Sequence, residues 1–121
     1  MIGYITIGTN DLPRATAFYD AVLAILGARR TMTLQRGYAW GGANKGPSLM
    51  VMTPHNGQLA SGGNGTMVAL VANDRQTVDA VYRRAIEQGA TCEGPPGDRG
   101  GNFYAAYFRD LDGNKLNCFH F

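Results

Sequence analysis

The chain repeats itself, and that repeat limits its fold more than any single motif does. Ile5-Thr-Ile-Gly-Thr-Asn-Asp11 reappears as Val68-Ala-Leu-Val-Ala-Asn-Asp74, and each copy runs directly into a helical pattern. Inside those helices Phe18-Tyr19 falls on Val81-Tyr82, and Gly27 and Gly89 close them. Gly46-Pro-Ser-Leu-Met-Val-Met52 then matches Gly113-Asn-Lys-Leu-Asn-Cys-Phe119. Two similar modules follow, residues 1–54 and 64–121, joined by a Gly- and Asn-rich linker at 55–63. A length of 121 residues suits one compact domain, so both modules are assigned to a single domain, 1–121.

Each module reads as β-α-β-β-β. Tyr4-Ile5-Thr6-Ile7 alternates like a half-buried strand, Asp11 can cap a helix with Pro13 in its first turn, and Ala15, Phe18, Val22, Ile25 and Leu26 recur at helical spacing. Residues 29–35, 37–41 and 48–53 then read as strands separated by Gly-containing turns. In the second module Asp74 caps a helix whose buried stripe is Val78, Val81, Tyr82, Ala85 and Ile86, and Asp110 to Asn114 makes the closing hairpin. Gly94 to Gly101 reads as a mobile loop. The fold class is α+β, with a curved, mostly antiparallel eight-stranded sheet around a concave pocket.

Composition narrows the function. Hydrophobic residues at 45% and charged residues at 17% suit a packed globule and exclude wholesale disorder. Eleven Lys and Arg against nine Asp and Glu give a net charge of +2 without a basic run, so no nucleic-acid partner is expected. No apolar stretch reaches the roughly 18 residues of a membrane helix, and the first residues show neither a basic leader nor a cleavable apolar block. The expected location is cytoplasmic, away from membranes, with Cys92 and Cys118 as free thiols.

Strand alternation and the repeat together assign faces. Ile5, Ile7, Leu49, Val51, Val68, Leu70, Leu116 and Cys118 should point towards the helices. Tyr4, Thr6, Met50, Met52, Met67, Ala69, Asn117 and Phe119 should then point the other way. A pseudo-twofold between the modules would gather Tyr4, Met50, Met67 and Asn117 around its axis. The repeat does not fix the faces of Tyr38, Trp40, Tyr104 and Tyr107.

The order of elements, the helix start Asp11-Leu-Pro-Arg-Ala-Thr-Ala-Phe-Tyr19 and especially Arg109-Asp-Leu-Asp-Gly-Asn-Lys-Leu116 resemble the vicinal oxygen chelate superfamily over essentially the whole chain. That superfamily includes glyoxalase, bleomycin-resistance proteins, fosfomycin-resistance enzymes, extradiol dioxygenases and methylmalonyl-CoA epimerase. The resemblance implies a glyoxalase-like fold, although Leu111 stands where relatives commonly carry proline. It also implies four metal-ligand positions, usually His or Gln, Glu, His and Glu, which fall here on Tyr4, Met50, Met67 and Asn117. Divalent metals favour imidazole and carboxylate over phenol, thioether and amide, so neither a metal nor another cofactor is expected.

A general base is also missing from the expected concave positions, because the nine carboxylates fall on caps, helices, a loop holding Glu93 and Asp98, and the final turn. His55 begins a loop, and His120 shares the parity of Leu116 and Cys118. Arg99 is either a solvated side chain or a cationic clamp for an anionic ligand. The expected ligand-binding set is therefore Tyr4, Thr6, Met50, Met52, Met67, Asn117, Phe119 and Arg99, an adaptable apolar wall with few polar anchors.

Two functions compete. One resembles bleomycin-resistance proteins, with metal-free binding or sequestration of a small, partly apolar organic molecule in clefts shared across a homodimer. The other keeps lyase, isomerase or dioxygenase chemistry, through a non-standard metal site or Tyr4 as acid/base. A subunit that only dimerises is a third reading, and the same side chains could also simply close the sheet as core.

Overall fold

A computed structural model describes residues 1–121. The strands and helices run in the order β1 (Tyr4–Gly8), α1 (Leu12–Ala24), β2 (Arg29–Leu34), β3 (Gly37–Gly41), β4 (Ser48–Met52), β5 (Val68–Val71), α2 (Arg75–Glu87), β6 (Thr91–Asp98), β7 (Tyr104–Arg109) and β8 (Lys115–His120). The α+β class and the two β-α-β-β-β modules are as the repeat requires. The eight strands hydrogen-bond as two sheets of four, β1-β4-β3-β2 and β5-β8-β7-β6. Each module pairs its first strand parallel to its last, with Ile5 opposite Leu49 and Val68 opposite Leu116.

The same local chemistry starts both helices. The Asp11 carboxylate accepts from the Arg14 N–H, and that of Asp74 accepts from the Thr77 N–H, each satisfying a donor that the first helical turn leaves free. Gly27 and Gly89 follow the helices at φ of +74° and +99°, a left-handed conformation that favours glycine.

Helix α1 packs on β2, β3 and β4, α2 packs on β6, β7 and β8, and the two helices touch each other. No strand of one sheet hydrogen-bonds to a strand of the other, although Leu49 of β4 and Ala69 to Val71 of β5 line one cavity between them. One continuous core results, with Ile7, Leu49, Val51, Val68, Leu116 and Cys118 buried against the helices as strand parity requires. Ile5 shares that parity but remains 37% exposed near the start of its edge strand. The helix-free face of each sheet is turned away from the helical layer.

One expectation is overturned. Gly94 to Asp98 is not a loop but the end of β6, an edge strand with irregular register at Cys92/Gly94 and Gly94/Gly97. Pro95 and Pro96 fit there because bulges on an edge strand omit the ladder bonds that proline cannot donate. Turning is confined to Gly100, Gly101 and Asn102, all at positive φ. Glu93 and Asp98 therefore sit on a strand, where each pairs with an arginine, Arg109 and Arg75 respectively.

The modules are tied by the turn between β7 and β8. Asp110 is buried, and its Oδ2 accepts from the Tyr19 hydroxyl at 2.6 Å and from Asn114 Nδ2 at 2.9 Å. Its Oδ1 accepts from the backbone N–H groups of Asp112 and Asn114, both at 2.9 Å. Asp112 reaches back across the junction, accepting from the Thr9 hydroxyl at 2.6 Å and the Asn10 N–H at 2.9 Å. Asn114 Nδ2 also donates to the Gly8 carbonyl. The segment between β4 and β5 is held against the same junction, since Asn10 exchanges two hydrogen bonds with Ala60. A Cβ on Gly62 would lie 2.2 Å from the Gly113 carbonyl oxygen, so no larger residue fits there without moving backbone. No helix in the structure is long and apolar enough to cross a membrane.

Burial, then the negative charge of Asp110, pushes the Tyr19 phenol well above the usual tyrosine range. A raised folded-state pKa means stability that is present below about pH 10 and lost as pH climbs further. Tyr19→Phe is expected to lower the unfolding free energy by about 2 kcal/mol at neutral pH and Asp110→Ala by about 4 kcal/mol, the latter because several buried donors lose their acceptor. Urea titration checks both, and above about pH 10 the gap between wild type and Tyr19→Phe should narrow.

Candidate functional site

The helix-free face of β1-β4-β3-β2 carries Thr6, Met50, Ala39 and Met32 in one cross-strand row. Tyr4 and Met52 stand on either side of that row, on the same face by strand alternation. Tyr4 is 61% exposed, its hydroxyl free of any intramolecular hydrogen bond. At one end of the face, an open cleft of about 390 Å³ lies over Thr6 and Met52, with Arg36, His55, Asn56 and Ser61 around it. Arg36 donates to the Thr53 carbonyl at 2.7 Å and has no carboxylate partner.

Neither Met32 nor Arg36 was among the residues expected here. Met32 could have been found by continuing the alternation of Met50 across the two hairpins. Arg36 could not, because it sits in the two-residue turn between β2 and β3, outside any periodic pattern.

On the opposite sheet, the helix-free face carries Ala69, Asn117 and Tyr107 in one row, and Val71, Phe119 and Ala105 in the next. Met67 precedes β5 and is 43% exposed. Asn117 is buried, and its Oδ1 has no hydrogen-bond partner. Arg99 lies on this face, its guanidinium 5.6 Å from the Tyr107 ring centroid and donating to the Pro95 carbonyl at 2.6 Å.

The four aromatic residues whose faces the repeat left open separate cleanly. Trp40 is buried in the core and donates from Nε1 to Asp20 at 2.9 Å. Tyr38 and Tyr104 also pack on the core side, with the Tyr104 hydroxyl 2.6 Å from Asp79. Tyr107 alone joins the open face.

The structure thus divides the expected ligand-binding set. Tyr4, Thr6, Met50 and Met52 share one sheet, while Asn117 and Phe119 lie in the other, with Met67 just before β5 and Arg99 just after β6. Within one chain the two groups belong to sheets that share no hydrogen-bonded strand pair.

The donor chemistry at the four superfamily positions does not fit a divalent metal. Tyr4, Met50, Met67 and Asn117 supply a phenol, two thioethers and an amide, whichever way the sheets are paired. Nowhere do three or more His, Cys, Asp or Glu side chains converge on a point that would hold a metal. Glu93 on β6 is a poor base because its hydrogen bond from Arg109 holds it below the usual carboxylate range. His120 faces Ala72, with Nδ1 3.0 Å from that carbonyl. Cys118 is buried, which pushes its thiol up to about 12, whereas Cys92 is exposed. Iodoacetamide at neutral pH should therefore label Cys92 in the folded protein and Cys118 only after unfolding, as peptide mass spectrometry would show.

A family model described as glyoxalase/bleomycin resistance protein/dioxygenase superfamily matches residues 1–118. A glyoxalase/bleomycin resistance protein from Albidiferax ferrireducens is 36% identical, with a TM-score of 0.91 over 100% of this chain and 98% of its own. A candidate glyoxalase from Bacillus halodurans is 24% identical, with a TM-score of 0.78 over 98% and 94% of the two chains. A lactoylglutathione lyase from Agrobacterium tumefaciens, at 19% identity and a TM-score of 0.69 over 98% and 92%, shares the fold. No curated protein sequence matches the chain significantly. Motif, module order and structural likeness agree: the chain belongs to the glyoxalase/bleomycin resistance protein/dioxygenase superfamily.

Proposed function

We propose that this protein binds or sequesters a small, partly apolar organic molecule without a metal, in clefts formed between two copies of the chain. The observation that carries the reading is the residue set at the four superfamily ligand positions. Tyr4, Met50, Met67 and Asn117 do not suit a Lewis-acid metal, but they do suit an organic surface. Thioethers mould to irregular apolar shapes, while the phenol and amide give direction. Two free cysteines are compatible with a reducing compartment such as the cytoplasm.

The division of the two faces supports a dimer. Strands β1 and β5 are sheet edges with unused backbone hydrogen-bonding groups, and Tyr4, Ile5 and Val71 on them remain exposed. A twofold partner that sets the first sheet of one copy beside the second sheet of the other would cover those edges. It would also oppose Tyr4 and Met50 to Met67 and Asn117, the grouping expected from the repeat.

Catalysis through Tyr4 is the weaker reading, because its phenol has no hydrogen-bonded base or acid to exchange a proton with. Light scattering after gel filtration should give twice the chain mass, and Ile5→Arg on the edge strand should shift the population to monomer. Elemental mass spectrometry on protein purified without chelator, then incubated with nickel, zinc, iron and manganese, should find well under one metal per chain. Near-stoichiometric metal would overturn the metal-free reading. Tyr4→Phe should leave metal content unchanged and weaken ligand binding by no more than about tenfold, the usual size of one lost hydrogen bond.

A further inference from the structure

One cross-strand row on the first sheet is almost bare. Gly8, Met52 and Gly37 stand opposite one another on β1, β4 and β3, so the helix-free face carries a single side chain across three strands. Neither glycine can be replaced without movement around it. A Cβ on Gly37 would lie 2.0 Å from the Val51 carbonyl oxygen, and one on Gly8 would lie 2.8 Å from the Ala60 Cβ. The row is a hollow with Met52 as its floor.

The segment after β4 makes the other wall. It turns at Pro54 to Gly57, where the Gly57 N–H donates to the Pro54 carbonyl at 3.1 Å and Gly57 takes a φ of +72°. It then returns to β1, with Ala60 beside Gly8 and joined to Asn10 by two hydrogen bonds. The result is the open cleft of about 390 Å³, built wholly from one chain and at the small end of the volumes that hold organic ligands.

The cleft holds a charge without a counter-charge. Arg36 enters it half-buried, and no Asp or Glu is among the residues that line it. One Nη1 donor is used on the Thr53 carbonyl at 2.7 Å, a neutral acceptor that orients the guanidinium and leaves its charge and its Nε–Nη2 edge free. Asn56 adds a donor, since its Oδ1 accepts from the Gln58 N–H at 3.0 Å and its amide N–H groups stay free. The rest of the wall is aliphatic, with Met52, Pro54 and Leu59, the last 87% exposed. A leucine so exposed at a cleft mouth gains from any apolar group that covers it.

We infer that this cleft binds a short aliphatic monocarboxylate, its carboxylate on the Nε–Nη2 edge of Arg36 and its hydrocarbon body over Met52 towards Leu59. The inference goes beyond the function proposed above, because the cleft is complete within one chain and needs no second copy. A single unpaired cation matches a single carboxylate, whose two oxygens accept parallel bonds from the planar guanidinium. A second acid group at the far end would meet only thioether and hydrocarbon, where a charge is poorly solvated.

The test is a magnetic-resonance titration of isotope-labelled protein at fixed ionic strength, following the Arg36 Nε–H and Asn56 side-chain signals. The probes are hexanoate, neutral hexanamide and doubly charged hexanedioate. Hexanoate should bind about tenfold more tightly than hexanamide, as a charge-assisted pair at a half-open site gives, and more tightly than hexanedioate. Arg36→Gln should erase most of the preference for hexanoate over hexanamide, and Arg36→Lys, which keeps the charge but not the fork, should restore only part of it. Leu59→Ser should weaken hexanoate and hexanamide alike by about threefold, with the preference intact. Thermal unfolding of each variant shows whether it remains folded.

Equal affinity for hexanoate and hexanamide, or no binding of either, would overturn the inference and leave the cleft between copies untouched. Tighter binding of hexanedioate would also overturn it, since attraction to a net positive surface would then explain the result. So would a preference for hexanoate that survives in folded Arg36→Gln, because the charge recognition would lie elsewhere. Unchanged hexanoate affinity in Leu59→Ser would overturn the placement of the hydrocarbon body.

Discussion

The Asp110 carboxylate is the point on which the two halves of this molecule are hung. It is buried, and its four accepted hydrogen bonds come from Tyr19 in the first module and from Asp112 and Asn114 in the second. A buried charge is tolerable only when its lone pairs are filled, and here they are. Asp112 and Asn114 extend the tie to Thr9, Asn10 and Gly8, at the end of the strand that leads into α1. The most specific motif in the sequence is thus a structural joint, with its acidic groups turned inward to the junction and none available to a ligand.

That joint sets where function can reside. By holding α1 against α2, it places both helices inside and turns the helix-free faces of the two sheets outward. The faces differ in chemistry. One presents methionines, Thr6 and an exposed tyrosine beside a cleft that includes Arg36. The other presents small residues, an unsatisfied amide, two cations on a tyrosine ring and a group of phenylalanines. A soft, shape-adapting wall on one sheet thus contrasts with a charged and aromatic one on the other.

Much of this was legible in the chain because the repeat carries face information. The parity of Leu116 and Cys118 marked Asn117 and Phe119 as outward-facing, and the buried core confirms the inward set. Misreading Gly94 to Asp98 as a loop had a simple cause. Glycine and proline usually signal turns, but on a bulged edge strand the missing ladder bonds make both acceptable. Tyr107 was ambiguous for a related reason, since Tyr104-Ala-Ala-Tyr107 places its two tyrosines three residues apart and so on opposite faces.

The sequence by itself determined the modules, the helix caps, the strand faces and the chemistry at the four superfamily positions. These are local or periodic properties, fixed by alternation, by capping side chains and by which residue occupies a register position. Tertiary structure alone decided which module faces which. The Asp110 junction and the contact between helices join residues far apart in the chain, and no periodicity encodes such pairings. The same long-range packing drew Arg99 back over Tyr107 across the empty positions of Gly94 and Gly97, turning an isolated arginine into part of a surface.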